Sequence, residues 1–445
     1  MSADLLLDVL KQATRLGATE ADGYLVEERE SSALVRLGQV DTVTESQERR
    51  LSIRVFVGRS SASASTSDLS RDSLRGLIDE ATGLARVTAP DPLSGLPDPV
   101  ALITEIPELD LFDPRGHDID PEAKIGLARR AEAAALDLDP RITNSEGAQY
   151  SDRQSTYTYA TSHGFAGTYA GSTFGLTVAP VASRNGEMQR DAWYSTARKR
   201  ARLDSPEDIG RKAARRALRR LGARQVRTAE VPVVFDPETA ASLIGSIAGA
   251  ASGPALYRST SFLVGRLGKR IAASLVTIVD DGTIPDALGS KPFDGEGLAV
   301  QRITVVAGGV LESYLLDTYS ARKLGQTSTH HASRTAGGVG VQATNLVLQP
   351  GTASPEDLIR SVKNGFYVTE LIGFGVSPVT GDYSRGAAGM WIENGELAYP
   401  VNEVTIAGNL LGMFEAIDGI GNDLVLRDAT AAPTLKIARM VVAGT

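Results

Sequence analysis

The chain has 445 residues, 42% of them hydrophobic and 22% charged, enough apolar material for two or three domains of about 150 residues each. A net charge of −8 argues against a duplex nucleic-acid binder, which needs a basic surface to meet phosphates. The absence of cysteine removes disulfides, thiolate metal sites and cysteine nucleophiles, and the composition fits a cytoplasmic protein.

In MSADLLLDVLKQATRLG, Leu5, Leu6, Val9, Leu10, Ala13 and Leu16 recur at helical spacing and Gly17 is a natural stop. Asp4, Asp8 and Lys11 among these leucines are unlike a signal peptide, and no apolar run approaches the ~20 residues that span a bilayer, so no membrane association is expected. LSIRVFVG alternates Leu51, Ile53, Val55 and Val57 with Ser52, Arg54 and Phe56, a strand with one buried face. RSSASASTSD alternates Ala62 and Ala64 with serines and is read as an edge or hairpin strand, a flexible loop being the alternative. A second helix over 70–86 carries Leu74, Leu77, Ile78, Ala81 and Leu84.

TAPDPLSGLPDP, residues 88–99, holds four prolines and opens a loop-like stretch to about Asp118. Asp120-Pro121 starts a helix to Leu136, and four strands are expected at 141–150, 153–162, 165–181 and 187–198. Ser205-Pro206 starts a helix to about Leu221 whose basic run, 211–227, fits an acidic partner or RNA, or else a solvated outer face over Ala213, Ala214, Ala217 and Leu218. The acidic remainder of the chain favours the solvated face. From the strand EVPVVF (230–235) onward, short strands and glycine-rich turns dominate. The chain thus reads as an α+β protein in four parts. These are an N-terminal α+β domain (1–87), a proline-rich linker (88–118), a central domain of helix plus antiparallel sheet (119–228) and a mostly-β C-terminal domain (229–445).

Chemistry-bearing residues are sparse. His117 and His163 fall in the linker and a tight turn. His330 and His331 are adjacent, so on an extended backbone they point apart and do not share a metal, although either could act as a base or touch a substrate. TIVDDGTIPDALGSKPFDGEG clusters Asp280, Asp281, Asp286, Asp294 and Glu296. Paired acids can do acid–base work, but Asp-Gly is also an ordinary turn former, and turns are favoured. TAGGVGV (335–341) lacks the Lys-Ser/Thr ending of a phosphate loop. FDPETAASLIGSIAGA begins as a well-capped helix, with Asp236 at the N-cap, Pro237 and Glu238 behind it, and then offers no charge and no imidazole.

Together, TIVDDGTIPDALGSKPFDGEG, VLESYLLDTYSARKLG, MWIENGELAYPVNEVTIAGNLLGMF, IDGIGNDL and PTLKIARMVVAG make the C-terminal half resemble the TldD/PmbA family; TSHGFAGTYAGSTFGLTVAPVA extends the resemblance over nearly the whole chain. In the TldD branch the corresponding helix carries a zinc-protease signature, H-E-x-x-x-H, completed by a later cysteine. Here Gly245 and Ser246 stand where the His-Glu pair would be and Ala250 where the second histidine would be. The resemblance is therefore to the TldE (PmbA) branch and implies no catalytic residue and no metal or other cofactor in this chain. Zinc would instead belong to a TldD-like metallopeptidase partner, in a heterodimer acting on unfolded peptides, with no nucleic acid or membrane involved; a homodimer in the partner's absence stays open. Asp280, Asp281, His330 and His331 are the candidate contacts to a substrate chamber. The alternatives are an autonomous hydrolase built on those four residues and a homodimeric peptide-binding module.

Overall fold

The computed structural model describes residues 2–335 and 338–444. The N-terminal part forms α1 (Ser2–Arg15), β1 (Glu20–Arg36), β2 (Gln39–Val57), β3 (Ser60–Thr66) and α2 (Arg71–Val87). The central part forms α3 (Pro121–Leu136), β4 (Ile142–Thr161), β5 (Ala166–Arg184), β6 (Glu187–Arg190), β7 (Trp193–Ala197) and α4 (Pro206–Leu218). In the remainder β8 (Ala229–Phe235) leads into α5 (Pro237–Ala250) and α6 (Gly253–Tyr257). Next come β9 (Ile278–Asp281), β10 (Arg302–Ala307), β11 (Val310–Leu311), α7 (Thr318–Leu324), β12 (Ala332–Thr335), β13 (Gly338–Val341) and β14 (Leu346–Leu348). The chain closes with α8 (Pro355–Arg360), β15 (Asn364–Ile372), β16 (Asp382–Glu393), β17 (Glu396–Asn409), α9 (Leu410–Glu415), β18 (Ile417–Ile420), β19 (Thr430–Ala431) and β20 (Leu435–Ala443). The architecture is α+β, as the sequence leads one to expect.

The N-terminal and central parts share one seven-stranded sheet in the order β3-β2-β1-β4-β5-β6, with β7 also on β5. Strands β1 and β4 join the two parts, antiparallel from Asp22↔Thr161 to Val35↔Ala148. Alternation along β1 puts Ala21 and Leu25 with α1 and α2, and Ala33 and Val35 with α3 and α4, so the two helix pairs cover opposite ends of one face. Gly23 lies between them because a Cβ there would stand 2.9 Å from the Leu6 side chain. The other face, with Asp22, Tyr24 and Tyr159, meets the C-terminal part.

Three local expectations need correction. Residues 142–161 form one strand rather than two, because pairing with β1 and β5 runs unbroken through Ser151 and Asp152, where the sequence suggests a break. The stretch 187–198 splits into β6 and β7, both paired with β5. Helix α4 stops at Leu218, short of Leu221. RSSASASTSD forms the expected edge strand, β3, on β2.

In the C-terminal part a five-stranded sheet runs β11-β10-β9-β14-β19 and a six-stranded sheet runs β17-β16-β15-β8-β20-β18. Because β17 also pairs with β20, the strands β17, β16, β15, β8 and β20 close into a ring. Helix α5 touches β14 and β19 of one sheet and β15 and β8 of the other, so its apolar side sits in the largest core cluster. Among the described residues no helix is long and apolar enough to cross a membrane.

Candidate functional site

Helix α5 starts as its sequence dictates. Asp236 accepts a hydrogen bond from the Thr239 backbone N–H at 3.0 Å, and Pro237 occupies the first turn, where no N–H is needed. Leu243, Ile244, Ile247 and Ala250 face the core. Gly245 is on the outer side, with nothing within 4 Å of where a Cβ would lie. Ser246 offers its hydroxyl only to the Ser242 carbonyl, at 3.5 Å. Of the three positions aligned by resemblance with the zinc-protease signature, Gly245 and Ser246 are partly exposed and offer neither an imidazole nor a carboxylate. The third, Ala250, is 1% exposed and packed.

The other candidates divide into one pair and two separate residues. Asp280 and His331 are both buried, with His331 Nε2 2.9 Å from Asp280 Oδ2. Asp280 also accepts from the Thr344 N–H at 2.8 Å and from the Thr344 hydroxyl, while His331 Nδ1 lies 2.9 Å from Thr329 Oγ1. Asp281 points away and closes a turn, accepting from the Thr283 N–H at 2.9 Å. His330 adopts φ +60° and directs Nδ1 to the Ala299 carbonyl at 2.6 Å. The phosphate-loop reading of 335–341 falls partly outside the described residues; the described remainder belongs to the β12–β13 hairpin.

The hydroxyl–imidazole–carboxylate row Thr329–His331–Asp280 has the composition of a catalytic triad. Thr329 is nevertheless committed to backbone, accepting from the Leu316 N–H at 2.7 Å. The row therefore reads as a satisfied buried polar network. Zinc does not fit these residues either. Gly245 and Ala250 have no side-chain donor, Asp280 and Ala299 occupy one nitrogen of each histidine, and among the described residues no three His, Asp or Glu side chains converge to hold a metal ion.

A larger buried network was not visible in the sequence. Asp22 on β1 is fully buried and meets Arg54 of β2 at 2.6 Å, Arg334 of β12, and the Tyr159 hydroxyl at 3.1 Å. Burial alone would push the Asp22 carboxyl up, but Arg334 and Arg54 outweigh it and hold it at about 2. Arg54 reaches on to Glu296 at 3.4 Å, and Glu296 accepts from the Thr318 N–H that opens α7. Next to it, Asp294 accepts from the N–H groups of Glu296, Leu298 and Ala332 at 2.9–3.0 Å. Burial, followed by the charge on Glu296, raises Asp294 to about 6. The network ties the N-terminal sheet to the C-terminal part across more than 300 residues of chain.

A cleft of about 610 Å³ opens where α4 faces the start of α5. The basic run is only in part the solvated face that composition favours: Ala213, Ala214 and Ala217 are buried and Lys212, Arg215, Arg224 and Arg227 are exposed, but Arg216 and Arg220 pair with acids inside the protein. Arg216 meets Asp191 at 3.1 Å and Asp236 at 3.5 Å, and Arg220 meets Glu370 at 2.5 Å. Lys212 lies 3.6 Å over the Trp193 ring, and burial and then Arg427 lower its pKa. Burial, then the charge on Asp236, raises the Glu238 carboxyl.

Comparison with known proteins agrees with this architecture. Profiles of the PmbA/TldA metallopeptidase family match in order: domain 1 at residues 21–85, the central domain at 114–221 and the C-terminal domain at 228–444. The chain is 38% identical over 443 residues to "Metalloprotease PmbA" of Escherichia coli O157:H7, covering 99% of this chain and 96% of the relative. It is similar to a crystal structure from Bacteroides thetaiotaomicron described as a "putative modulator of DNA gyrase", with TM-score 0.92, 29% identity, and coverage of 99% of this chain and 98% of that one. It shares the fold of TldE from Thermococcus kodakarensis at TM-score 0.89 and 20% identity, over 99% of this chain and 100% of that one. With all three domains matched in order and a PmbA relative aligned along nearly its whole length, the chain belongs to the PmbA/TldD metallopeptidase family, on its PmbA branch.

Proposed function

We propose that this chain is the non-catalytic partner of a zinc-bearing TldD-type subunit, and that the pair degrades or processes unfolded or flexible peptides. The observation that carries this reading is the outer side of α5, where Gly245 and Ser246 leave a capped and well-packed helix without ligands for the family's metal. In this reading the chain walls the substrate chamber and positions an extended peptide by strand addition, a mode in which main-chain hydrogen bonds give affinity with loose sequence selectivity. Edges suited to a further strand among the described residues include β3 and the β12–β13 hairpin.

The reading as an autonomous hydrolase has one observation behind it, the Thr329–His331–Asp280 row; exposures of 1% for His331 and 0% for Asp280 weigh against substrate access. A single experiment separates the two. An unfolded polypeptide is incubated with the purified chain, with a TldD-type subunit, and with both, each with and without a chelator. Cleavage only in the mixture, abolished by the chelator, is expected. Cleavage by this chain alone that survives repurification would overturn the proposal.

A further inference from the structure

The cleft beside α4 carries more positive charge than the protein itself neutralises. Spacings of three and four place Lys212 and Arg215 of α4 and Arg219 at its C-cap along one stripe, and all three line the cleft. None of them has an ion-pair partner among the described residues, and Nε and Nη2 of Arg219 are buried with no hydrogen-bond partner there. Three of the four lining acids are committed to other groups, and burial, then the charge on Asp236, favours the neutral form of the fourth, Glu238. Asp236 holds Thr239 and Arg216, Asp423 holds Thr434 through its N–H at 2.9 Å and its hydroxyl at 2.7 Å, and Asp428 accepts from the Tyr194 hydroxyl at 2.6 Å.

Buried guanidinium N–H groups without acceptors are costly, and few native structures keep them without a use. Their environment here is concave and large enough for a small ligand. We propose that this cleft binds an oxyanion, a carboxylate or phosphate group, held by Arg219 with Lys212 and Arg215. A guanidinium presents two parallel donors to such a group, the strongest form of charge-assisted hydrogen bond available to a side chain. The lowered pKa of Arg219, caused by burial and then by Arg216, fits a cation kept short of counter-charge. The proposal does not depend on the peptidase reading, although Glu238 and Ala241, which line the cleft, stand seven and four residues before Gly245 on the same side of α5.

The test is calorimetric titration of the full chain with two probes, inorganic phosphate and the blocked dipeptide acetyl-glycyl-glycine with its free carboxylate, at ionic strength held constant with chloride. Saturable binding of at least one probe is expected; the one that binds identifies whether phosphate or a peptide end is the source. Arg219→Gln should weaken binding about tenfold and Arg215→Ser several-fold, while Glu238→Gln should leave it unchanged or tighten it. Arg215 is exposed, so Arg215→Ser carries the test even if Arg219→Gln unfolds. Failure of both probes to saturate, or wild-type binding by either Arg215→Ser or a folded Arg219→Gln, would overturn the proposal.

Discussion

Replacing Asp22 with Asn tests whether the buried ion network holds the N-terminal sheet to the C-terminal part. The wild-type carboxylate lies between two guanidiniums, with side-chain exposures of 0% for Asp22, 13% for Arg54 and 4% for Arg334. Its pKa falls from 3.8 to about 2, and at roughly 1.4 kcal/mol per unit that is on the order of 2 kcal/mol of stability. The pKa is depressed in the folded state. This stability is therefore complete above the unfolded value near 3.8 and is lost as pH falls through about 2. Asn keeps the shape but leaves Arg54 with Glu296 and Arg334 with no carboxylate among the described residues, a loss of about 3–5 kcal/mol at pH 7 for breaking a buried pair from one side. Urea unfolding followed by limited proteolysis should show a lower midpoint and early cleavage between the sheet and the C-terminal part. Asp22→Leu combined with Arg334→Met should cost less than the two single changes added together, since it removes both charges. A midpoint for Asp22→Asn within about 1 kcal/mol of wild type at pH 7 would refute the reasoning.

Asp294 should act in the opposite sense. Its pKa is raised from 3.8 to about 6, so the folded state holds its proton longer than the unfolded chain, and stability declines as pH rises from about 4 to 6 by about 3 kcal/mol. Subtracting the stability–pH curve of Asp294→Asn from that of wild type should isolate this slope, and a flat difference over that range would count against it. Gly245→Ala should raise stability by about 0.5–1 kcal/mol, because the helix gains propensity and the new methyl meets nothing. Gly389→Ala should do the reverse by several times that amount, since its Cβ would lie 1.9 Å from the Tyr367 carbonyl on the neighbouring strand; equal melting points for the two variants would contradict both predictions. Asp280→Asn should lower stability by about 3 kcal/mol. It should not slow peptide cleavage by the folded variant mixed with a TldD-type subunit, and a fall in kcat at unchanged structure would return the His331–Asp280 pair to the chemistry.

Helices were the most legible part of the sequence, because their signals are local. Asp120-Pro121, Ser205-Pro206 and Asp236-Pro237 each put a side-chain acceptor before a residue that needs no N–H, and each starts a helix at that point. Strand ends were less legible. Nothing within 142–161 says that the strand continues through Ser151 and Asp152; the long partners β1 and β5 on either side decide it. The joining of β1 to β4 across the linker was not legible either, since register between distant strands is set by faces that both strands must bury.

The acids near residue 290 show the limit more sharply. Local reasoning took TIVDDGTIPDALGSKPFDGEG for turns, and Asp281 and Asp294 do hold turn N–H groups. What no local pattern could supply is that Asp294 and Glu296 are also buried against Ala332, Thr318 and an arginine of β2. The same holds for α4. Its alanines correctly marked an inward stripe, yet the arginines beside that stripe face a cleft whose other wall is the start of α5 and the segment bearing Asp423 and Arg427, far along the chain. A charged side chain reads as solvated until the fold brings a second surface over it. At α4 and at Asp22 alike, the residues whose environment departs most from their sequence context are therefore those where the parts of the chain meet, and it is there that substitutions should alter pH dependence and binding as well as stability.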